Sequence, residues 1–352
     1  MLTVLILFAA CKSRDSQRDN EPARSSPLTV IEEPQKRSTL FPQIHAHLNG
    51  MVSEFIFEIY QDTDSTFWFC TNHDGIIRYD GRELTKYTEK DGIGGSAVRC
   101  VVEDREGILW FGTSGGLTRY DGEKFQNFDF GGSDWENEIW ATAIDEAGLI
   151  WVGGNDGVRT FDGNSFAEFI VPKPELENAR PMIARQRVSG ITVDRRGDIW
   201  FVNDGYGITR YDGQRFSFLT AQNGLTDNYA AAVFEDSRGD IWLGTYYGGV
   251  SRFDGEIFTN YTRNEVITGE EVYNFCEDRD GNIWFSAEEH GVYKYDGENF
   301  RQYTREDGLT NNAVQYIFAD AKGQIWFCTW QGISIFDGRQ ISDVALKEPW
   351  TR

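Results

Sequence analysis

Basic charge is scarce in this sequence: 34 Lys and Arg stand against 56 Asp and Glu, a formal net charge of −22. A chain this acidic offers no cationic face to a phosphate backbone, so nucleic acid is excluded as a partner and an anionic membrane surface is disfavoured. Proline is sparse too, with 8 residues in 352, which argues against Pro-rich disorder or a collagen-like chain. Only 4 histidines occur, and His-Glu-x-x-His, Gly-x-Ser-x-Gly and a phosphate loop are all missing. The 5 cysteines have no metal-ligand spacing, so no metal and no cofactor is expected. Asp278-Arg-Asp-Gly-Asn282 starts like a calcium loop, but Ile283 stands where the loop's glycine belongs. Past residue 10 no apolar run approaches the roughly 20 residues of a membrane-spanning helix.

What is present divides the chain. Residues 1–10 are apolar except for Thr3 and lead through Ala9-Ala10 to Cys11. This run suits a signal peptide and resembles a bacterial lipobox, in which the cysteine is lipidated. Residues 1–11 are therefore expected to be a signal peptide with Cys11 as the lipidation site. No Lys or Arg precedes the run, so the true start of translation stays open. Residues 12–39 are polar and charged in both signs, as a flexible tether would be. Residues 40–346 are expected to form the folded body, and 347–352 a short tail.

A repeat fills the body. Tryptophans at 68, 110, 151, 200, 242, 284 and 326 are spaced by 42, 41, 49, 42, 42 and 42 residues. An aromatic-Asp-Gly triplet follows each, and Asp-x-x-Gly precedes all but the first, which reads Asp62-Thr-Asp-Ser. In the copy around Trp110, Asp104-x-x-Gly107 is a turn, Ile108-Leu-Trp-Phe-Gly reads as a strand, and Asp121-Gly122 as a hairpin. Each copy thus predicts four short antiparallel strands, A to D, and seven copies predict an all-β seven-bladed β-propeller. No stretch within a copy holds ten residues at helical period. Residues 40–45 and residues 339–344 are both candidates for the outer strand of blade 7.

The string Ile-Trp-Phe-(Gly/Cys)-Thr…Gly-(Leu/Ile/Val)-x-(Arg/Lys)-(Tyr/Phe)-Asp-Gly, with Asp307-Gly-Leu-Thr-Asn-Asn312 and Asn223-Gly-Leu-Thr-Asp-Asn228, resembles the two-component regulator propeller repeat. In that family the repeats form extracytoplasmic sensors of hybrid histidine kinases that respond to glycans. The resemblance implies a location in the envelope of a Gram-negative bacterium, at the outer membrane or periplasmic face. The kinases continue into an immunoglobulin-like segment, a transmembrane helix and a transmitter. This sequence stops at Arg352, and only the propeller is expected to carry over.

The A–B and C–D turns should share one face of the ring and be uniform; the B–C and D–A connections should share the other and vary. Variation among copies marks where a specific site can be built. The B–C candidates are His73, Asp74, Asn155, Asp156, Asp204, Tyr206, Tyr246, Tyr247, Glu289, His290, Trp330 and Gln331. Aromatic faces beside carboxylates and amides suit a sugar; any one of them alone reads as an ordinary solvated loop residue, and it is the rim as a whole that points to a site. The long D–A connection after blade 3 adds Lys173, Arg180, Arg185 and Arg187, a lid or anion clamp if not a stiff surface loop. The repeated tryptophans and Trp140 read as core, and four cysteines as free buried thiols. The expected function is non-catalytic binding of a small molecule or oligosaccharide by a monomer that meets the membrane only through its lipid. The alternatives are docking of an envelope protein, or an enzyme resembling streptogramin B lyase, with Glu289 and His290 opposite His73.

Overall fold

The repeat's aspartate and tryptophan, six residues apart, meet in every copy. Asp Oδ2 accepts a hydrogen bond from the indole Nε1 in the pairs Asp62–Trp68, Asp104–Trp110, Asp145–Trp151, Asp194–Trp200, Asp236–Trp242, Asp278–Trp284 and Asp320–Trp326, at 2.7–3.0 Å. The other carboxylate oxygen accepts backbone N–H groups of the same turn, as Asp236 Oδ1 does from Arg238 and Asp240. One side chain therefore closes the A–B turn and satisfies the polar edge of a buried indole. The first copy lacks the glycine, and Ser65 takes the left-handed conformation there at φ 65°.

In the computed structural model, which describes residues 55–177 and 179–344, these units are seven four-stranded antiparallel sheets, each made of consecutive strands. Blade 2 shows the pattern: Val98–Glu103 innermost, then Leu109–Thr113, Gly116–Tyr120 and Phe125–Phe128 outermost. Every second strand is buried along its whole length. A sheet covered on both faces must pack against its neighbours, and the apolar clusters accordingly lie between blades. One holds Trp242 of blade 5 with Phe275, Phe285 and Tyr295 of blade 6. Cys70, Cys100, Cys276 and Cys328 are free and buried.

Ring closure follows the same rule. Blade 7 completes itself with Ile341–Asp343 paired to Gly332–Phe336. Its Trp326, Cys328 and Ile333 then pack on Ile56, Ile59, Phe67 and Phe69 of blade 1. The C-terminal candidate supplies the outer strand; residues 40–45, like Cys11 and the tether, lie outside the described residues.

Two further devices join the blades. On the A–B rim a side chain ending an inner strand accepts a backbone N–H from the preceding blade: Gln61 from Ala321, Glu103 from Thr63, Glu235 from Arg195 and Glu277 from Ser237. On the opposite rim, a one-turn 3-10 helix, Arg305–Asp307, ended by left-handed Gly308, leads into Asp-Gly-Leu-Thr-x-Asn. Leu309 enters the core, and Asn312 Oδ1 accepts from Arg305 N.

Candidate functional site

The inner strands carry an irregularity that aims side chains at the axis. In blades 1, 2, 3, 4, 5 and 7 one residue near the strand start has no partner in the ladder, a β-bulge. These residues are Phe57, Arg99, Trp140, Ser189, Ala231 and Gln315, and Tyr273 holds the same place in blade 6. Phe57 of blade 1 lies 6.4 Å from Trp140 of blade 3, edge to face, across the blade between them. Residues of non-adjacent blades meet this way only if they face the channel.

Two more positions complete the channel mouth. In six blades the first residue of the B–C loop donates its N–H to a carbonyl just ahead of the inner strand: Asn72 to Phe55, Ser114 to Ala97, Asp204 to Arg187, Tyr246 to Tyr229, Glu288 to Glu271 and Trp330 to Ala313. The backbone bond repeats while the side chains differ, so chemistry changes from blade to blade on a constant frame.

On the wall of blades 2 to 4, Trp140 is flanked by the guanidinium groups of Arg99, 3.7 Å from the ring centroid, and Arg187, at 4.2 Å. Its Nε1 donates to Asn155 Oδ1 at 2.9 Å, and Asn155 Nδ2 donates to Glu138 Oε2 at 2.8 Å. Glu138 also pairs with Arg99. Trp140 is therefore half-buried channel wall, not the core residue its apolar strand suggested. Across the mouth, Tyr273 Oη contacts Glu271 and, at 2.8 Å, Glu288 Oε2. A phenol has one proton to donate, so both contacts are hydrogen bonds only if one carboxyl is protonated. Burial first, and Glu271 second, push the Glu288 pKa up, which favours a proton on that carboxyl. Tyr246 stands between the walls, 5.5 Å from Tyr273, and burial raises its pKa while Arg187 opposes the rise. Phe55 and Trp330 close the mouth edge to face at 5.2 Å.

The structure thus brings Asn155, Tyr246 and Trp330 to the mouth. Asp204 is there but occupied, its oxygens accepting the N–H groups of Met182, Ile183 and Ala184 at 2.7–3.1 Å. The remaining candidates occupy the loop tips or their outer sides. His73, Asp156, Tyr247, Glu289, His290 and Gln331 are exposed. Asp74 pairs with Lys86 at 2.6 Å, and Tyr206 is buried under the Arg185 guanidinium. No hydrogen bond or ion pair joins His73 to Glu289 or His290 among the described residues.

The long connection after blade 3 is strapped down. Besides the Asp204 bonds, Lys173 Nζ donates to Asn203 Oδ1, and burial holds its pKa down at about 8. The chain passes so close over left-handed Gly205 that a Cβ there would lie 2.7 Å from the Arg180 carbonyl oxygen. Arg180 and Arg185 face solvent, whereas Arg187 is 3% exposed. Sequence reasoning missed Phe57, Arg99, Glu138, Trp140, Glu271, Tyr273 and Gln315. Comparing the seven copies at the position before the inner strand and at the bulge would have singled them out.

Comparison with known proteins agrees on the repeat. The profile described as two component regulator propeller matches residues 92–115, 224–247, 267–289 and 308–331. Each match runs from a D–A connection into or through the next second strand. No curated protein matches the sequence. Among solved structures, the extracellular domain of the hybrid two-component system protein BT3049 from B. thetaiotaomicron superposes with TM-score 0.57 at 18% identity, over 82% of this chain and 46% of that one. This chain therefore spans about half of that domain. PorZ, a surface component of the type-IX secretion system of Porphyromonas gingivalis, gives 0.62 at 15%, over 83% and 47%. A virginiamycin B lyase from Staphylococcus aureus gives 0.65 at 13%, over 82% and 95%. At these identities the superpositions establish a shared fold.

Proposed function

The chain is a two-component regulator propeller repeat protein, and from that premise we propose that it is a non-catalytic, ligand-binding propeller of the cell envelope, with a carbohydrate bound at the B–C mouth of the channel. The observation that carries the reading is the mouth itself. Around a backbone bond that recurs in six of the blades it sets aromatic rings (Phe55, Tyr246, Trp330) beside polar groups (Asn155, Glu271, Glu288, Gln315). Both amide atoms of Gln315 are buried without a hydrogen-bond partner, as expected where a ligand completes the set. Sugar rings stack on aromatic faces while carboxylates and amides take the hydroxyls. Attachment through a lipid on Cys11 fits this role, and Cys11→Ser should then move the protein from the membrane to the soluble fraction.

The test is a glycan panel read by melting temperature and tryptophan fluorescence. A ligand bound at one hundred times its Kd stabilises by about 2.7 kcal/mol, a shift easily seen. Tyr246→Ala and Trp330→Ala should abolish it while leaving the ligand-free melt within a few degrees. A panel that moves neither signal would remove the carbohydrate reading. A second reading, docking of an envelope protein, rests on exposed Met182, Ile183 and Tyr247, the Tyr247 hydroxyl lying 3.7 Å from Met182 Sδ. A crosslinked partner lost on Tyr247→Ser, with no glycan response, would favour it.

A further inference from the structure

Arg187 precedes the inner strand of blade 4, where the other blades place Phe55, Ala97, Glu138, Tyr229, Glu271 and Ala313. It is 3% exposed and its Nε is buried without a hydrogen-bond partner. No ion pair reaches it among the described residues, and its guanidinium lies over the Trp140 ring, 4.2 Å from the centroid. The carboxylates nearest in charge are already committed. Asp204 is held by three backbone N–H groups, and Glu138 by Arg99 and Asn155. Arg99 sits on the same indole and adds like charge. Burial lowers the Arg187 pKa, Tyr246, Asp204 and Glu138 oppose this, and Arg99 reinforces it. Arginine cannot escape by shedding its proton, so the charge stays.

A buried, unpaired guanidinium is costly, and its own loop does not require it. The main chain alone makes the local bonds, Arg187 N to Ala184 O and Asp204 N to Arg187 O. An apolar chain of similar length would fill the space over Trp140. The charge is therefore what the fold leaves unexplained.

We propose that Arg187, positioned by Trp140, binds a carboxylate of the ligand, so that the mouth selects an acidic sugar such as a uronate over its neutral counterpart. The guanidinium edge offers parallel N–H donors whose spacing matches the two oxygens of a carboxylate. Tyr246 is close enough to interact with its charge, and beyond lie the Glu288 carboxyl, placed to meet hydroxyls, and Glu271, whose charge would repel a second anion. On a body of net charge −22, an anion is held only where a local cation faces it. The inference rests on the mouth being the ligand site.

Two measurements test it. In ligand-free protein, Arg187→Met should raise the melting temperature by removing an unpaired charge. Arg99→Met should lower it by stranding Glu138. With glucuronate and glucose as probes at matched ionic strength, glucuronate should stabilise the wild type and glucose much less. Arg187→Met should weaken glucuronate at least tenfold, the loss typical of a charged hydrogen bond. If Arg187→Met melts lower, as Arg99→Met does, the side chain is structural and the proposal falls. If neutral sugars bind as well as acidic ones and are indifferent to Arg187→Met, the proposal falls while the mouth remains the site. If Tyr246→Ala and Trp330→Ala leave all sugar binding intact, the site itself is misplaced and both fall.

Discussion

On the A–B rim one carboxylate does the same work seven times, whereas on the B–C rim the matching positions hold Phe55, Ala97, Glu138, Arg187, Tyr229, Glu271 and Ala313. Both rims are anchored by bonds that recur from blade to blade. On the first the recurring bond uses the side chain, Asp to Trp Nε1; on the second it uses only the main chain. A side chain spent on folding is not free to vary. One that rides on a backbone bond is, and the ligand chemistry collects there.

The largest effect should come from breaking the uniform rim. Asp236 has a fully buried side chain and holds Trp242 Nε1 and two backbone N–H groups. Asp236→Ala would strand these donors, at about 3 kcal/mol, and should lower the melting temperature by several degrees without changing which ligand binds. A mouth variant such as Tyr246→Ala should do the reverse. If both variants lose stability equally, the division between the rims is not real.

The two rims also differed in how far the amino-acid order revealed them. Turns and strand alternation are local, so Asp104-x-x-Gly107, Asp121-Gly122 and the buried Ile-Trp-Phe runs could be read directly. The mouth depends on bulges, and a bulge is a property of register between two strands. Ile139–Ile144 reads as an unbroken apolar strand, and nothing within it says that Trp140 falls out of the ladder and faces the axis. His73, Glu289 and His290 drew notice for their chemistry, yet second and third residues of a B–C loop are tips. Arg187 was visible only as one charge in a basic loop. Its meaning lies in the two carboxylates nearby that turn out to be committed elsewhere.

Between the rims, Glu58 follows the bulge of blade 1 and accepts from Val101 N of blade 2. Burial, only partly offset by that bond and one from Tyr316, pushes its pKa up to about 8. The native carboxyl therefore keeps a proton that the unfolded chain releases above about pH 4.5. Stability linked to Glu58 is complete below that pH and is lost as pH rises to about 8. Glu58→Gln keeps an acceptor and cannot ionise. Denaturant titrations at pH 5 and 7 should show the wild type weakening by about 2.5 kcal/mol between them and the variant holding level. Parallel pH profiles would mean the wall tolerates the charge.

The smallest effect belongs to the one irregular turn of the uniform rim. In the first copy the Asp62–Trp68 bond survives at 2.7 Å although the turn's glycine is replaced by Ser65 at φ 65°. A side chain in that region costs about 1–2 kcal/mol, while glycine loses about 0.5–1 kcal/mol through its greater unfolded-state freedom. Ser65→Gly should therefore stabilise by about 0.5 kcal/mol, the difference of those terms. Gly148→Ala, in the matching turn of blade 3 at φ 83° with nothing within 4 Å of the added Cβ, should destabilise by a similar amount. Because the space there is open, its cost reports the backbone alone. Opposite signs from the two changes, measured as denaturant midpoints, would show that the carboxylate–indole bond fixes the turn and that glycine only relieves it. If Ser65→Gly is neutral or destabilising, Ser65 contributes through a contact of its own, and the first blade departs from the rule its six neighbours obey.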